Sequence, residues 1–228
     1  DLKSAARRAG IRFGTAVEPQ SVESDPDFAS LVRSQCGSVT AENAMKWNAL
    51  RPAPDRFDFS QADRVADFAR SIGVVMHGHC LVWHEALPEW VAGTVTPRNA
   101  AALLEAHIAT VVRRYAGRVV SWDVVNEAVE RNDRRSDGLR RSVWLEALGP
   151  GYLDLAFHAA RQADPRSRLC FADYGLEYDD IPWMVEKRGT TLEILRGLKA
   201  RGVPVDVLAL QGHLRGDHPP AFGQGLAD

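Results

Sequence analysis

Six times along 228 residues a short, β-branched apolar run gives way to a helical pattern, and few folds accept that alternation other than a parallel sheet joined by crossover helices. The runs fall at 12–17, 38–44, 74–83, 121–128, 168–175 and 205–213. Local chemistry punctuates the helices between them. Asp25-Pro26 supplies an N-cap and a first helical residue. Ser60 opens a segment in which Val65, Phe68, Ala69 and Ile72 share a face and Gly73 ends it. Thr96-Pro97 opens the next, with Leu104, Ile108, Val111 and Tyr115 as its apolar stripe and Gly117 as its stop. Helical patterns also fill 151–163 and 191–201. Spread over 228 residues, six βα units average about 38 residues each, more than a minimal crossover, so the surplus goes to loops after the strands. The most polar of these, 130–141, reads as a solvated loop.

No GxGxxG follows the first strand and no phosphate-binding P-loop sequence occurs, so the nucleotide signals of open doubly wound sheets are missing. That shifts weight towards a barrel. With no Pro/Gly/Ser linker, residues 1–228 read as one domain.

Composition narrows the partners. Against 30 Asp+Glu stand 28 Lys+Arg, so no basic excess points to nucleic acid. No apolar run approaches the roughly 18 residues of a membrane span, and residues 1–8 lack the apolar core of a signal peptide, although a leader removed before Asp1 stays open. Cys36, Cys80 and Cys170 lie far apart without CxxC spacing and read as buried thiols.

The chemistry gathers at strand ends. Strand two closes on TAENAMKW (40–47), strand three on HGHCLVWH (77–84), strand four on WDVVNEA (122–128), strand five on ADYG (172–175) and strand six on LQGH (210–213). Five successive ends rich in Glu, Asn, Lys, His, Gln and Trp are costly in a structural core, because each desolvated polar group needs a partner. At the C-terminal rim of a barrel they form a site. Fork-like donors, carboxylates and flat indoles suit a sugar, which has hydroxyls around its edge and an apolar face.

Those runs, in that order and on those strands, resemble the family 10 glycoside hydrolases over essentially the whole chain. The resemblance implies an α/β (β/α)8 barrel of TIM type, of which residues 1–228 carry about the first six βα units with strands seven and eight falling outside, a product that would leave strands one and six as unpaired edges and be prone to aggregation. It implies retaining endo-hydrolysis of β-1,4-xylan. It makes Glu127 the acid/base, and it puts Glu42, Asn43, Lys46, His79 and Trp83 along the subsites on the non-reducing side. Asn126, Gln211 and His213 would surround the reacting sugar, with Tyr174 also touching substrate. It further implies no metal or organic cofactor, a secreted protein and a monomer when complete. The nucleophile of the family follows Gln-x-His by one more βα unit, beyond Asp228, so this chain is expected to be an inactive or incomplete fragment. Cys80 stands where the family usually has Thr, and Ala172 and Gly175 where Asn is common. A general acid must keep its proton near neutral pH, which a semi-apolar setting beside Trp and Val would favour for Glu127.

Two other readings compete. His77-x-His79 puts two imidazoles on one strand face, and with Glu127 and His213 they would make a metal-dependent hydrolase site. A non-catalytic barrel that binds xylan or xylo-oligosaccharides is the other. Among the remaining aromatic and titratable residues, Trp90 is expected to pack, Trp122 and Trp144 to lie in the core, His107 and His158 to be structural, and His218 to do nothing specific.

Overall fold

The computed structural model describes residues 1–214, 216 and 217; His218 lies outside the described residues. Six parallel strands, β1 (Gly14–Val17), β2 (Ser38–Ala41), β3 (Val75–Val82), β4 (Val119–Asn126), β5 (Arg168–Asp173) and β6 (Val207–Leu210), pair in chain order into one sheet. Each expected strand is present; five are trimmed within their expected ranges, and β4 begins and ends two residues earlier than expected. Their order is that of an opening (β/α)8 barrel, with β1 and β6 at the margins of the described sheet. The main helices are α1 (Leu2–Arg8), α2 (Pro26–Gln35), α3 (Ser60–Ser71), α4 (Ala100–Arg114), α5 (Tyr152–Ala163) and α6 (Pro182–Ala200). None is long and apolar enough to cross a membrane.

The helix starts follow from side-chain capping. Asp25 accepts from the Phe28 amide at 2.9 Å and opens α2, with Pro26 at its first position. In front of α4, the Asn99 carboxamide accepts from the Thr96 amide and hydroxyl, so residues 96–99 form a turn and the helix begins at Ala100 rather than Pro97. Its stripe of Leu104, Ile108, Val111 and Tyr115 is fully buried, as the periodicity requires. Two helices differ from expectation. α1, capped by Asp1, precedes the first strand without an apolar stripe to announce it. α6 starts at Pro182, well ahead of 191, because its first turns bury Lys187, Arg188 and Thr191 beside Met184, and polar inward residues erase the apolar period.

The core sits between sheet and helices. Trp47, Trp122, Trp144, Tyr115, Tyr178, Phe157 and Phe171 are the largest fully buried side chains. His107 stacks on Trp47 at 3.7 Å between ring centres, and the Trp47 indole donates to the Leu81 carbonyl at 2.7 Å. Half-buried Trp90 packs nearby and donates to the Arg51 carbonyl. Trp122 lies flat on β3, where a Cβ at Gly78 would fall 2.1 Å from its ring, so glycine is required for that approach. The three cysteines are buried and free.

Candidate active site

β4 delivers Asn126 and then Glu127, which leaves the strand in the left-handed region at φ 55°. A non-glycine residue holds that conformation only when its surroundings fix it. Here the Glu127 amide donates to the Ala172 carbonyl at 2.8 Å, and Arg140 Nε donates to the Glu127 carbonyl at 2.8 Å. The turn aims the carboxylate across the strand ends. One oxygen accepts from the Trp83 indole at 3.0 Å and the other from the Gln211 amide at 2.9 Å. That Gln211 amide also donates to Asn126 Oδ1 at 3.1 Å, and His213 Nε2 lies 2.8 Å from Gln211 Oε1.

From Trp83 the contacts continue toward β2. Lys46 Nζ lies 5.2 Å from the centre of the Trp83 ring and donates to Asn43 Oδ1 at 2.7 Å, while the Asn43 amide donates to Glu18. Glu42 is exposed at the end of β2, its backbone amide bonded to the Val17 carbonyl. His79 lies 6.2 Å from Trp83, ring to ring. On the other flank, the Tyr174 hydroxyl accepts from Arg140 at 3.0 Å and donates to Glu130 at 3.2 Å. The fold thus gathers the expected residues along one rim, with Glu127 between a β2–β3 flank and a β5–β6 flank.

Two groups of residues join the site that sequence patterns left out. The first is Asp123, buried beneath the rim. One of its oxygens takes both His77 Nε2 at 3.0 Å and His79 Nδ1 at 2.9 Å. Burial alone would raise this carboxyl, but the two histidine hydrogen bonds outweigh it and hold it at about 2. The signal was legible in strand register: β3 and β4 align His79 with Asp123. The second is Arg140 with Glu130, at the ends of the 130–141 loop, paired at 3.0 Å and half-buried. Glu130 and Arg140 of that loop therefore turn in beside Tyr174, while Arg131, Asn132, Arg134, Ser136 and Arg141 are exposed. Behind them Asp173 pairs with Lys187 at 2.7 Å, both buried.

The histidine reading is corrected by the same geometry. His77 and His79 turn to Asp123, whereas Glu127 is held by Trp83 and Gln211. Among the described residues, the trio whose ligand-type atoms lie within 4.8 Å of one another is His77, Asp123 and Cys170, not the expected set. The two ring nitrogens of His77 are taken by Ser121 Oγ at 2.7 Å and by Asp123, and burial with the nearby Asp123 charge pushes the Cys170 thiol up to about 12. Both His77 nitrogens are thus already engaged, and neither Glu127 nor His213 is part of this cluster.

The expected upward shift of Glu127 is also overturned. Burial does raise its pKa, but the Gln211 and Trp83 hydrogen bonds, helped by the charges of His84 and Arg140, bring it below its ordinary value. Donors aimed at the carboxylate stabilise the ionised form more than the half-apolar setting destabilises it.

A parallel sheet in barrel order, with a carboxylate and its donors on the C-terminal rim, defines the chain as part of a TIM-type (β/α)8 barrel with its site where such barrels place one. The family model for glycosyl hydrolase family 10 matches residues 1–225, and the chain belongs to that family. Crystalline xylanase 10B from Thermotoga maritima superposes with a TM-score of 0.84 at 36% identity, over 92% of this chain and 63% of that one. The Thermotoga petrophila xylanase 10B solved with xylobiose gives 0.84 at 35% identity, over 92% of this chain and 63% of that one. An endo-1,4-beta-xylanase A of Fusarium oxysporum is 37% identical over 96% of the chain and 64% of its own length. One from a Caldicellulosiruptor strain is 38% identical over 92% of the chain but 31% of its length. The chain therefore spans 31–64% of the length of these relatives.

Proposed function

We propose that residues 1–228 belong to the catalytic domain of a retaining endo-1,4-β-xylanase, incomplete in that strands seven and eight lie outside it, with Glu127 as the acid/base. The observation that carries this reading is the Glu127 carboxylate, turned out of β4 and suspended between the Trp83 indole and the Gln211 amide at the strand ends. Glu42, Asn43, Lys46, His79 and Trp83 would hold the sugars before the cleaved bond, and Asn126, Gln211, His213 and Tyr174 those around and after it. In that role Glu127 protonates the leaving oxygen and later takes a proton from water, while a second carboxylate about 5–5.5 Å away forms the glycosyl intermediate. The near balance of charge fits a neutral polysaccharide and not nucleic acid, while family membership supports a secreted protein, a monomer when complete, with no membrane or cofactor involved.

In a protein carrying the complete barrel, Glu127→Ala should slow cleavage of xylan by about 10²–10⁴-fold and slow the first, leaving-group step on aryl xylosides with good leaving groups far less, since these need little protonation. Equal loss on both substrates would remove the acid role. A second reading, binding without turnover, is favoured by one fact. Besides burial, the main influences on Glu127 are the donors Gln211 and Trp83 and the cations His84 and Arg140, which favour its ionised form. Xylohexaose bound but never cleaved by a protein carrying the complete barrel would select it.

A further inference from the structure

The rim carries an aromatic that the family motifs do not include. Trp183 stands in the first turn of α6, 40% exposed, although the other large aromatics of this region are covered. It lines a groove of about 260 Å³ with Tyr174, Glu130, Arg131, Asn132 and Lys187. Trp183 and Lys187, four residues apart, share one helix face, and Lys187 Nζ sits 3.3 Å from the centre of the Tyr174 ring. Arg131 pairs with Glu186 and ties the loop after β4 to the same helix.

The position of Trp183 depends on Gly175. That residue has φ +67°, and a Cβ there would lie 2.4 Å from the indole ring. Any side chain at 175 would therefore be strained in its backbone and would displace Trp183. The departure from the Asn common at this position thus makes room for an exposed indole beside the groove.

Sheet order says which part of a substrate reaches it. Lys46 and Trp83 lie on the β2–β3 side of Glu127, whereas Tyr174 and Trp183 follow β5 on the opposite side. A linear sugar chain laid across the rim past Glu127 would meet Tyr174 and then Trp183. We infer that Trp183, in the space opened by Gly175, is a stacking platform for a pyranose on the leaving-group side, with Asn132 and Glu130 facing the sugar's hydroxyls. The inference rests on the xylanase reading and adds to it a residue that sets preference for longer chains.

The two indole N–H signals, followed by NMR while the chain is titrated with xylobiose and xylohexaose, separate the two claims. Both Trp83 and Trp183 signals should move with xylohexaose. Trp183→Ala should weaken xylohexaose binding about fivefold to tenfold, Gly175→Asn should do the same, and Trp183→Phe should keep most of the affinity. The exposure of Trp183 makes loss of folding an unsuitable explanation for these changes, which a thermal melt checks. A moving Trp83 signal with a silent Trp183, or unchanged affinity in Trp183→Ala, overturns the platform and leaves the xylanase reading standing. Silence at both indoles with no binding overturns that reading and the platform with it.

Discussion

The seam between β3 and β4 and the strand β6 belong to one sheet, yet they are stabilised differently. Both seam strands are eight residues long, carry fully buried Leu81, Trp122, Val124 and Val125, and cover a satisfied charge cluster of Asp123 with His77 and His79. β6 has four residues, none buried, and ends in Leu210 at 39% exposure. Glu127 sits between them and takes one hydrogen bond from each side, from Trp83 after β3 and from Gln211 after β6. Glu127 is thus anchored at the end of a buried seam and also hydrogen-bonded from β6, the margin of the described sheet. Stability and site geometry should respond to different substitutions.

The largest contrast is in packing. Leu81→Ala removes a fully buried side chain and should lower unfolding free energy by about 2–5 kcal/mol, whereas Leu210→Ala, already largely solvated, should cost less than about 1 kcal/mol. Urea unfolding of both variants measures this, and equal losses would mean that β6 is packed as tightly as the seam.

A smaller effect comes from charge. Asp123 titrates at about 2 instead of 3.8, so its contribution, about 2 kcal/mol, is present above pH 4 and lost as pH falls through 2. His77 is the mirror case. Burial lowers its pKa, but the hydrogen bond and charge of Asp123 overcome this and raise it above 6.5, so its contribution is complete below 6.5 and lost as pH rises through the higher value. The pair should therefore give a stability plateau on the mildly acidic side of neutral. Asp123→Asn should flatten that profile; parallel profiles for the two proteins would show that the cluster does not set it.

The seam was also the more legible region in sequence. Long β-branched runs with HGHCLVWH and WDVVNEA at their ends specify strands, rim and motif together, and all six strands stand where the alternation puts them. What stayed hidden depends on partners distant in sequence. The first turns of α6 bury Lys187 and Arg188 against Asp173 and Asp179, a polar inner face that no hydrophobic period reveals. The inward packing of Arg140 was masked by the charge of its loop. The lowered pKa of Glu127 depends on donors 44 and 84 residues away, so the apolar neighbours visible in the motif suggested the opposite sign.

That sign yields the finest test of the division. Trp83→Phe keeps the ring but deletes the seam's hydrogen bond to Glu127, and Gln211→Leu deletes the bond from the β6 side. Each should raise the Glu127 pKa, because burial, the largest influence on it, then meets less opposition; the double variant should raise it further. Asp123, whose partners are untouched, should stay near 2. Carboxyl carbon shifts followed from pH 2 to 8 report both groups at once. The same logic says what an acid/base at this position needs in order to keep its proton. A second carboxylate about 5–5.5 Å away adds a like charge that opposes ionisation, against the two donors. If neither variant moves Glu127, its ionisation is set by the charges of His84 and Arg140, and the two flanks of the site do not share control of it.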